Sequence, residues 1–526
     1  MHSIGMLLLV GGAAAVAGLA RRLGWSPPLL LVAAGLAASF VAGAARYQLE
    51  PEVVLEGILP PLLFAAAWQS SAVSFRQNLR AIGLLSVGLV LFTTVVVGVV
   101  AHLAVPGLPL PAAFALGAVV APPDAVAATS IGRAVGLPRT LVVILAGESL
   151  VNDATALTAY RVAVAAATAG SFSPLAGVGE FVLATVGGVA VGWVLAVAAS
   201  ALLRPLRDPV LENTVLLITP FVAYGLAEAV NASGVLAVVL AGLILGHRAP
   251  RGQSYATRLQ GTMIWKLIDF LLESVVFALI GLQLRTILAG LGGRSAGELV
   301  GAALTVLAAV ILARFVWMYP GTYLPLLARR VRAREPVPPW TYPTVLAWAG
   351  MRGVVSLAAA AALPPGFPQR ALIQFLTFSV VIGTLVLHGL TLPWLIRRLG
   401  VVGTESSRDT LAEAAAQHAA VNAALQRLEE LLAGSEAGTV PDEVVHRLRE
   451  RAEIRQLGAW ERLGGDQAGP DRHETPTASY RRLRREMVDA ERTVFIELRD
   501  AGRIDDEVLT RVQLELDLEE AMLARD

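Results

Sequence analysis

The residues Gly147-Glu148-Ser149-Leu150-Val151-Asn152-Asp153 lie inside an otherwise largely apolar stretch running from Leu141 to Ala167. Such a stretch is long enough to cross a bilayer. One charged side chain at mid-membrane costs about 3 kcal/mol on insertion scales. Two carboxylates and an amide persist there only if they are paired, solvated in a cavity, or used, and together they point to an ion path. On a helix Glu148 and Asn152, four apart, share a face, while Asp153 points about 100° away from Asn152. No basic residue sits three or four positions from Glu148, so its counter-charge must come from another helix.

Three further stretches carry polar groups or helix breaks at membrane depth. In Ala121-Pro122-Pro123-Asp124-Ala125-Val126-Ala127 each proline removes an N–H donor and clashes with the carbonyl four residues back. Broken backbone in lipid survives only when buried in protein or lining a water cavity. Asp124 follows at the start of a second half-helix, where the dipole favours an anion. A proline kink with a capping aspartate is the plainer account, but a kink does not need the acid. In Ala349-Gly350-Met351-Arg352-Gly353-Val354-Val355-Ser356 close glycines flank an arginine with no acid at i±3 or i±4. Glu148 and Asp124 are the candidate partners of Arg352, and the sequence does not decide between them. Ile58-Leu59-Pro60-Pro61-Leu62-Leu63-Phe64-Ala65 is uncharged and reads equally as a kinked packing helix. Arg161, Glu180, Glu228, Asp269, Glu273, Arg285 and Arg314 read as gating or packing residues, and His388 as a hydrogen-bonded histidine of the last span.

The elements that must hold these groups are apolar helices. The chain of 526 residues is 55% hydrophobic and 16% charged, against about 25% charged for soluble domains. It has no cysteine, which excludes disulfides and thiolate metal sites. Breaks at charges and Pro/Gly clusters give thirteen spans, about 4–20, 28–44, 52–71, 81–103, 112–132, 141–168, 176–203, 212–231, 233–247, 263–290, 298–327, 340–363 and 371–396. Charges follow the first apolar run as Arg21 and Arg22, the reverse of a signal peptide, so that run is expected to be retained as a span. With the N-terminus outside, 17 loop arginines fall on the cytoplasmic side and 3 on the other, as the positive-inside rule requires. Residues 1–400 hold 25 basic against 14 acidic residues and residues 401–526 hold 17 against 27, which separates a basic membrane domain from an acidic cytoplasmic tail. That tail shows no enzyme motif. It is expected to be helical over about 410–432, 441–457, 478–500 and 505–523, with a polar linker at 464–477, and to be regulatory or dimer-stabilising. Arg481, Arg482, Arg484 and Arg485 are candidates for contact with anionic lipid or for a solvated face.

The stretches ILPPLLFAAAW, APPDAVAA, GESLVNDATAL, FALIGLQL and AGMRGVVSLAAAAALP, in this order, resemble the cation:proton antiporters of family one, which include bacterial sodium/proton antiporters and the animal sodium/hydrogen exchangers. The resemblance covers residues 4–396, and the end of the tail is similar to bacterial members. It implies an all-α polytopic fold with two inverted six-helix repeats and broken helices crossing at the midplane. Spans 4–6 and 11–13 would be an ion-transporting core and spans 1–3 and 7–10 a dimerisation scaffold. It implies that Asp153 carries either a cation or a proton, that Asn152 is the asparagine of the family's Asn-Asp pair, that Glu148 pairs with Arg352, and that Asp124 and Arg352 offset the dipoles of the crossing half-helices. Thr129 and Ser149 would lend oxygens. Many relatives have an acid after the phenylalanine of LPPLLF, where this chain has Ala65.

The expected activity is electroneutral exchange of one Na⁺ for one H⁺ across a bacterial plasma membrane, with K⁺ or Li⁺ as alternative cations, no other cofactor, a homodimeric assembly in the bilayer and no nucleic-acid partner. Hard cations suit carboxylate oxygen, and Asn152 adds no second titrating charge. An ion channel, or a hydrolase using Asp124 and Asp153 as an acid pair, would leave Asn152 and Arg352 without a role.

Overall fold

The computed structural model describes residues 2–41, 51–169, 174–292, 294–332, 337–403, 405–434, 440–465, 476–501 and 503–523. The chain divides into two compact units, Met1–Gly403 and Thr404–Asp526. The described residues are helical, without strands.

Among the described residues of the first unit eight helices are long and apolar enough to cross a membrane: Leu79–Ala104, Arg139–Thr168, Gly177–Leu203, Pro209–Ala229, Gly234–Gly252, Tyr255–Ala289, Ala296–Leu327 and Arg370–Leu399. His2–Leu23 covers the first expected span. Pro27–Ser39 and Val53–Gln69 are shorter, and the end expected at residue 44 lies outside the described residues. Polar caps start the helices where the apolar runs begin. Asp208 accepts from the Val210 N–H at 2.8 Å, Ser254 from Thr257 at 3.1 Å and Ser295 from Glu298 at 3.2 Å, each satisfying an N–H with no intrahelical partner.

The two spans expected to be broken are broken. We label the half-helices α5a (Leu110–Val120) and α5b (Ala125–Val135), and α12a (Thr341–Trp348) and α12b (Val354–Ala361). Helix α6 (Arg139–Ala169) packs against both halves of the fifth span and against α12a. It thus stands beside the crossing, with Leu150 and Ala154 in an apolar cluster that also holds Phe64 and Ala65 of the LPPLLF helix.

The tail helices are Glu405–Ala433, Asp442–Gly465, Pro476–Asp500 and Asp506–Leu523; most of the expected 464–477 linker, and Gly502, lie outside the described residues. The last two pair through Val488, Leu509 and Leu516. Arg484 and Arg485 are engaged within this hairpin. Arg484 bonds Glu519 at 2.7 Å and Glu491 at 2.8 Å, and Arg485 donates to the Leu523 carbonyl at 2.7 Å. The Arg484 hydrogen bonds hold the Glu519 carboxyl below its ordinary range. A depressed carboxylate contributes stability at neutral pH and loses it as pH falls through its folded-state ionisation. Amide exchange of 506–523 in the full chain, corrected for intrinsic rate, should therefore accelerate on acidification, and Glu519→Gln should flatten that pH dependence.

Candidate functional site

Both breaks leave backbone groups without helical partners, and in lipid each such group must be satisfied by protein. The fifth span breaks at Ala121–Asp124. Its Ala118 carbonyl, which faces Pro122 instead of an N–H, accepts a long 3.4 Å bond from Ala121. The Ala121 carbonyl accepts from the Arg352 guanidinium of the other broken span. The Pro123 carbonyl accepts from the Asn152 side-chain amide at 2.8 Å. In the opposite direction, the Asp124 N–H donates to the Met351 carbonyl at 2.7 Å. Each break thus supplies partners to the other.

Asp124 caps α5b, accepting from Val126 N–H at 2.8 Å. Its second oxygen lies over Gly353, where an added Cβ would come within 2.3 Å of Oδ2 and 2.7 Å of the Asp124 Cβ. Gly353 is therefore required for the close approach of the two spans. Arg352 is 1% exposed, and its backbone N–H donates to Thr384 Oγ1 at 3.0 Å.

Glu148 does not pair with Arg352. Its carboxylate takes two bonds from Arg314, 2.6 and 2.8 Å, and Arg314 Nε donates to the Leu346 carbonyl at 3.0 Å. Leu346 ends on the last turn of α12a, where the helical donor Gly350 lies beyond the helix. A Cβ on Gly350 would stand 2.6 Å from the Arg314 Cδ, so this glycine admits the arginine. The bidentate, fully desolvated pair is the geometry in which attraction offsets the loss of water. From the sequence Arg314 reads only as a gating or packing residue. The available signal was its depth, near the middle of Ala296–Leu327 and away from both ends, where snorkelling fails.

The two stripes of α6 are thereby separated. Glu148 and Asn152 face the crossing and are bonded to it. Ser149 and Asp153, four apart, share the neighbouring face. Asp153 is 6% exposed, lies close enough to Asp124 for the carboxylates to repel, and forms no salt bridge among the described residues. Asn152 Oδ1 is also enclosed without a hydrogen-bond partner. Thr129, one turn into α5b, gives its hydroxyl to Val126 O at 3.3 Å; Ser149 is half-buried. His388 is enclosed with its ring against Trp348, 4.7 Å between centroids, and neither ring nitrogen has a hydrogen-bond partner among the described residues, unlike the bonded histidine expected.

The family model described as "Sodium/hydrogen exchanger, transmembrane" matches residues 7–398. The chain belongs to the sodium/hydrogen exchanger family. It is accordingly a transporter and not an enzyme, so the hydrolase alternative is removed. An uncharacterized Na⁺/H⁺ exchanger of Mycobacterium tuberculosis is 34% identical over 99% of this chain and 96% of its own length. The Na⁺/H⁺ antiporter ApNhaP of Aphanothece halophytica is 34% identical over 76% of this chain and 74% of its own. A sodium, potassium, lithium and rubidium/H⁺ antiporter of Bacillus subtilis is 33% identical over 70% of this chain and 57% of its own. Among solved structures, that of the sodium proton antiporter MjNhaP1 from Methanocaldococcus jannaschii superposes with a TM-score of 0.61 at 19% identity, covering 76% of this chain and 99% of that one. The fold of the membrane unit is therefore that of an NhaP1-type antiporter.

Removing one partner of a buried ion pair leaves an uncompensated charge, at a cost of about 3–5 kcal/mol. Arg314→Ala should lower thermal stability by that order, and the added loss should be smaller in a Glu148→Gln background. A double-mutant cycle should give strong coupling for Glu148 with Arg314 and weaker coupling for Glu148 with Arg352; the reverse order would contradict the pairing. Gly353→Val should displace the Asp124 carboxylate and abolish transport in vesicles.

Proposed function

We propose that this chain exchanges one Na⁺ for one H⁺ across a bacterial plasma membrane, with Asp153 as the single carboxylate for which the two ions compete. The observation that carries the reading is the separation of the three acids at the crossing. Glu148 is neutralised by Arg314, Asp124 is engaged as a helix cap, and Asp153, on the helix bonded to the crossing, has neither an ion pair nor a capping bond among the described residues. A bare carboxylate among apolar walls is unstable and gains by taking either a proton or a hard cation. Asn152, fixed by the Pro123 carbonyl through its NH₂, holds its own carbonyl oxygen without a donor, an orientation suited to a cation. Ser149 and Thr129 complete the candidate ligand set.

Obligatory exchange follows if the bare site does not cross between access states. Spans 4–6 and 11–13 are the core that moves in this reading, spans 1–3 and 7–10 the scaffold through which two copies associate, and inverted repeats the source of the paired breaks. The distribution of loop arginines supports an external N-terminus and a cytoplasmic tail. Asn152 does not titrate and the Glu148–Arg314 pair is already compensated, so one positive charge enters for each that leaves. Sodium is favoured because the functionally named relatives above all include it, and the Bacillus protein makes potassium the alternative worth testing.

In proteoliposomes, Na⁺-driven proton flux should be independent of an imposed membrane potential, whereas a charge moved across the membrane would respond by about 2.3 kcal/mol per 100 mV. Asp153→Asn should insert and fold yet show no cation-driven proton flux with Na⁺, Li⁺ or K⁺. A voltage-dependent rate would contradict the stoichiometry, and undiminished flux in Asp153→Asn would contradict the carrier.

A further inference from the structure

The two approaches to the crossing differ in chemistry. Toward the Arg133 end of the broken fifth span, Asp269 and Glu273 of Tyr255–Ala289 stand one turn apart, with Glu273 near enough to Asp124 to feel its charge and Arg133 beside Asp269. Arg21 also approaches, its guanidinium 4.5 Å above the Phe270 ring. This side is lined with ionisable groups. Toward the other end a small cavity lies between Pro122, Ala156, Tyr160, Val355 and Ala359. Apart from the Tyr160 hydroxyl its walls are apolar, and a hydrated ion would lose its water there without replacement.

Next to Tyr160, Arg161 of α6 forms an ion pair with Glu228, at the last turn of Pro209–Ala229, its Nη2 donating to both carboxylate oxygens at 3.0 and 2.8 Å. Tyr224 and Glu56 stand close to this pair. Glu228, Tyr224 and Glu56 all belong to helices assigned above to the scaffold, and Arg161 belongs to the helix that carries Asp153. The side chains are 45% and 32% exposed. Half-exposed pairs are weak in comparison with the enclosed Glu148–Arg314 pair, which suits a contact made and broken in every cycle.

We propose that the Arg161–Glu228 ion pair is the latch that closes the Arg161 side of the site, and that its opening frees the Glu228 carboxylate, beside the already exposed Glu56, at the mouth of that approach. This rests on the alternating-access reading of the preceding section, and it adds residues which that reading does not use. In the structure the latch is shut and the ionisable approach leads toward Asp124.

The sequence has no cysteine, so single cysteines report access without background. Ala156, 3% exposed in the cavity wall, is the probe site. Full-length Ala156→Cys in vesicles, treated with a membrane-impermeant methanethiosulfonate from the Arg161 side, should react slowly. Adding Glu228→Gln, or separately Arg161→Gln, should speed labelling about threefold or more, in line with an exposed pair of about 0.7 kcal/mol. The charge exchange Arg161→Glu with Glu228→Arg should restore slow labelling. Equal rates in the parent and both neutralised variants would overturn the latch, as would a charge-exchanged protein that labels as fast as the neutralised ones. Labelling needs no turnover. Failure of Na⁺/H⁺ exchange in the parent would therefore contradict the transport reading separately, while the labelling series still decides the latch.

Discussion

The structure depends on one constraint: backbone polar groups released at two helix breaks must find partners inside a membrane-embedded protein. Two broken spans that cross solve this together. Arg352 serves the Ala121 carbonyl, Asp124 serves Met351, Arg314 serves Leu346, and Asn152 serves Pro123. An unmade bond at such a position costs about 1–3 kcal/mol or more. The partial charges of four half-helix ends and the charged side chains among them are therefore parts of one network, and no break is stable without the other.

The network also explains how one acid is set apart. Helix α6 presents two neighbouring faces to the crossing, and the 100° step between Asn152 and Asp153 assigns them different tasks. Glu148 and Asn152 are bound into the scaffold of the breaks. Asp153 is enclosed on the neighbouring face of the same helix, without a salt bridge among the described residues, and is the residue proposed above to take the cation. In the proposed reading, had Glu148 lacked Arg314, two unpaired acids five residues apart on one helix would compete for ions and the charge count of a cycle would change. The Arg314 pair thus bears on the chemistry proposed for Asp153 without itself being a ligand in that proposal.

Much of this was legible in the residues. Pro122-Pro123 remove two helical N–H donors and Gly350 and Gly353 weaken the helix between them, and both breaks lie where those residues stand. The apolar runs marked the helices, and the shift from basic to acidic composition near residue 400 falls close to the division at Gly403. The partner of Glu148 was not legible. Arg314 and Arg352 are both arginines at membrane depth without local acids, and only the three-dimensional path of Ala296–Leu327 decides between them. Gly350 held a trace of the answer, since its missing side chain makes room for Arg314 and not for Arg352. The role of Asn152 toward Pro123 was likewise hidden, because a bond over 29 residues leaves no pattern in spacing.

The central claim is that a proton and a metal ion exclude one another at Asp153. Calorimetric titration of the purified protein with NaCl, in two buffers of different ionisation enthalpy, counts the protons released on cation binding. The account predicts a release approaching one proton per Na⁺ when binding begins from the protonated protein, and neither binding nor release in Asp153→Asn. Sodium binding without proton release from the protonated wild-type protein would contradict it.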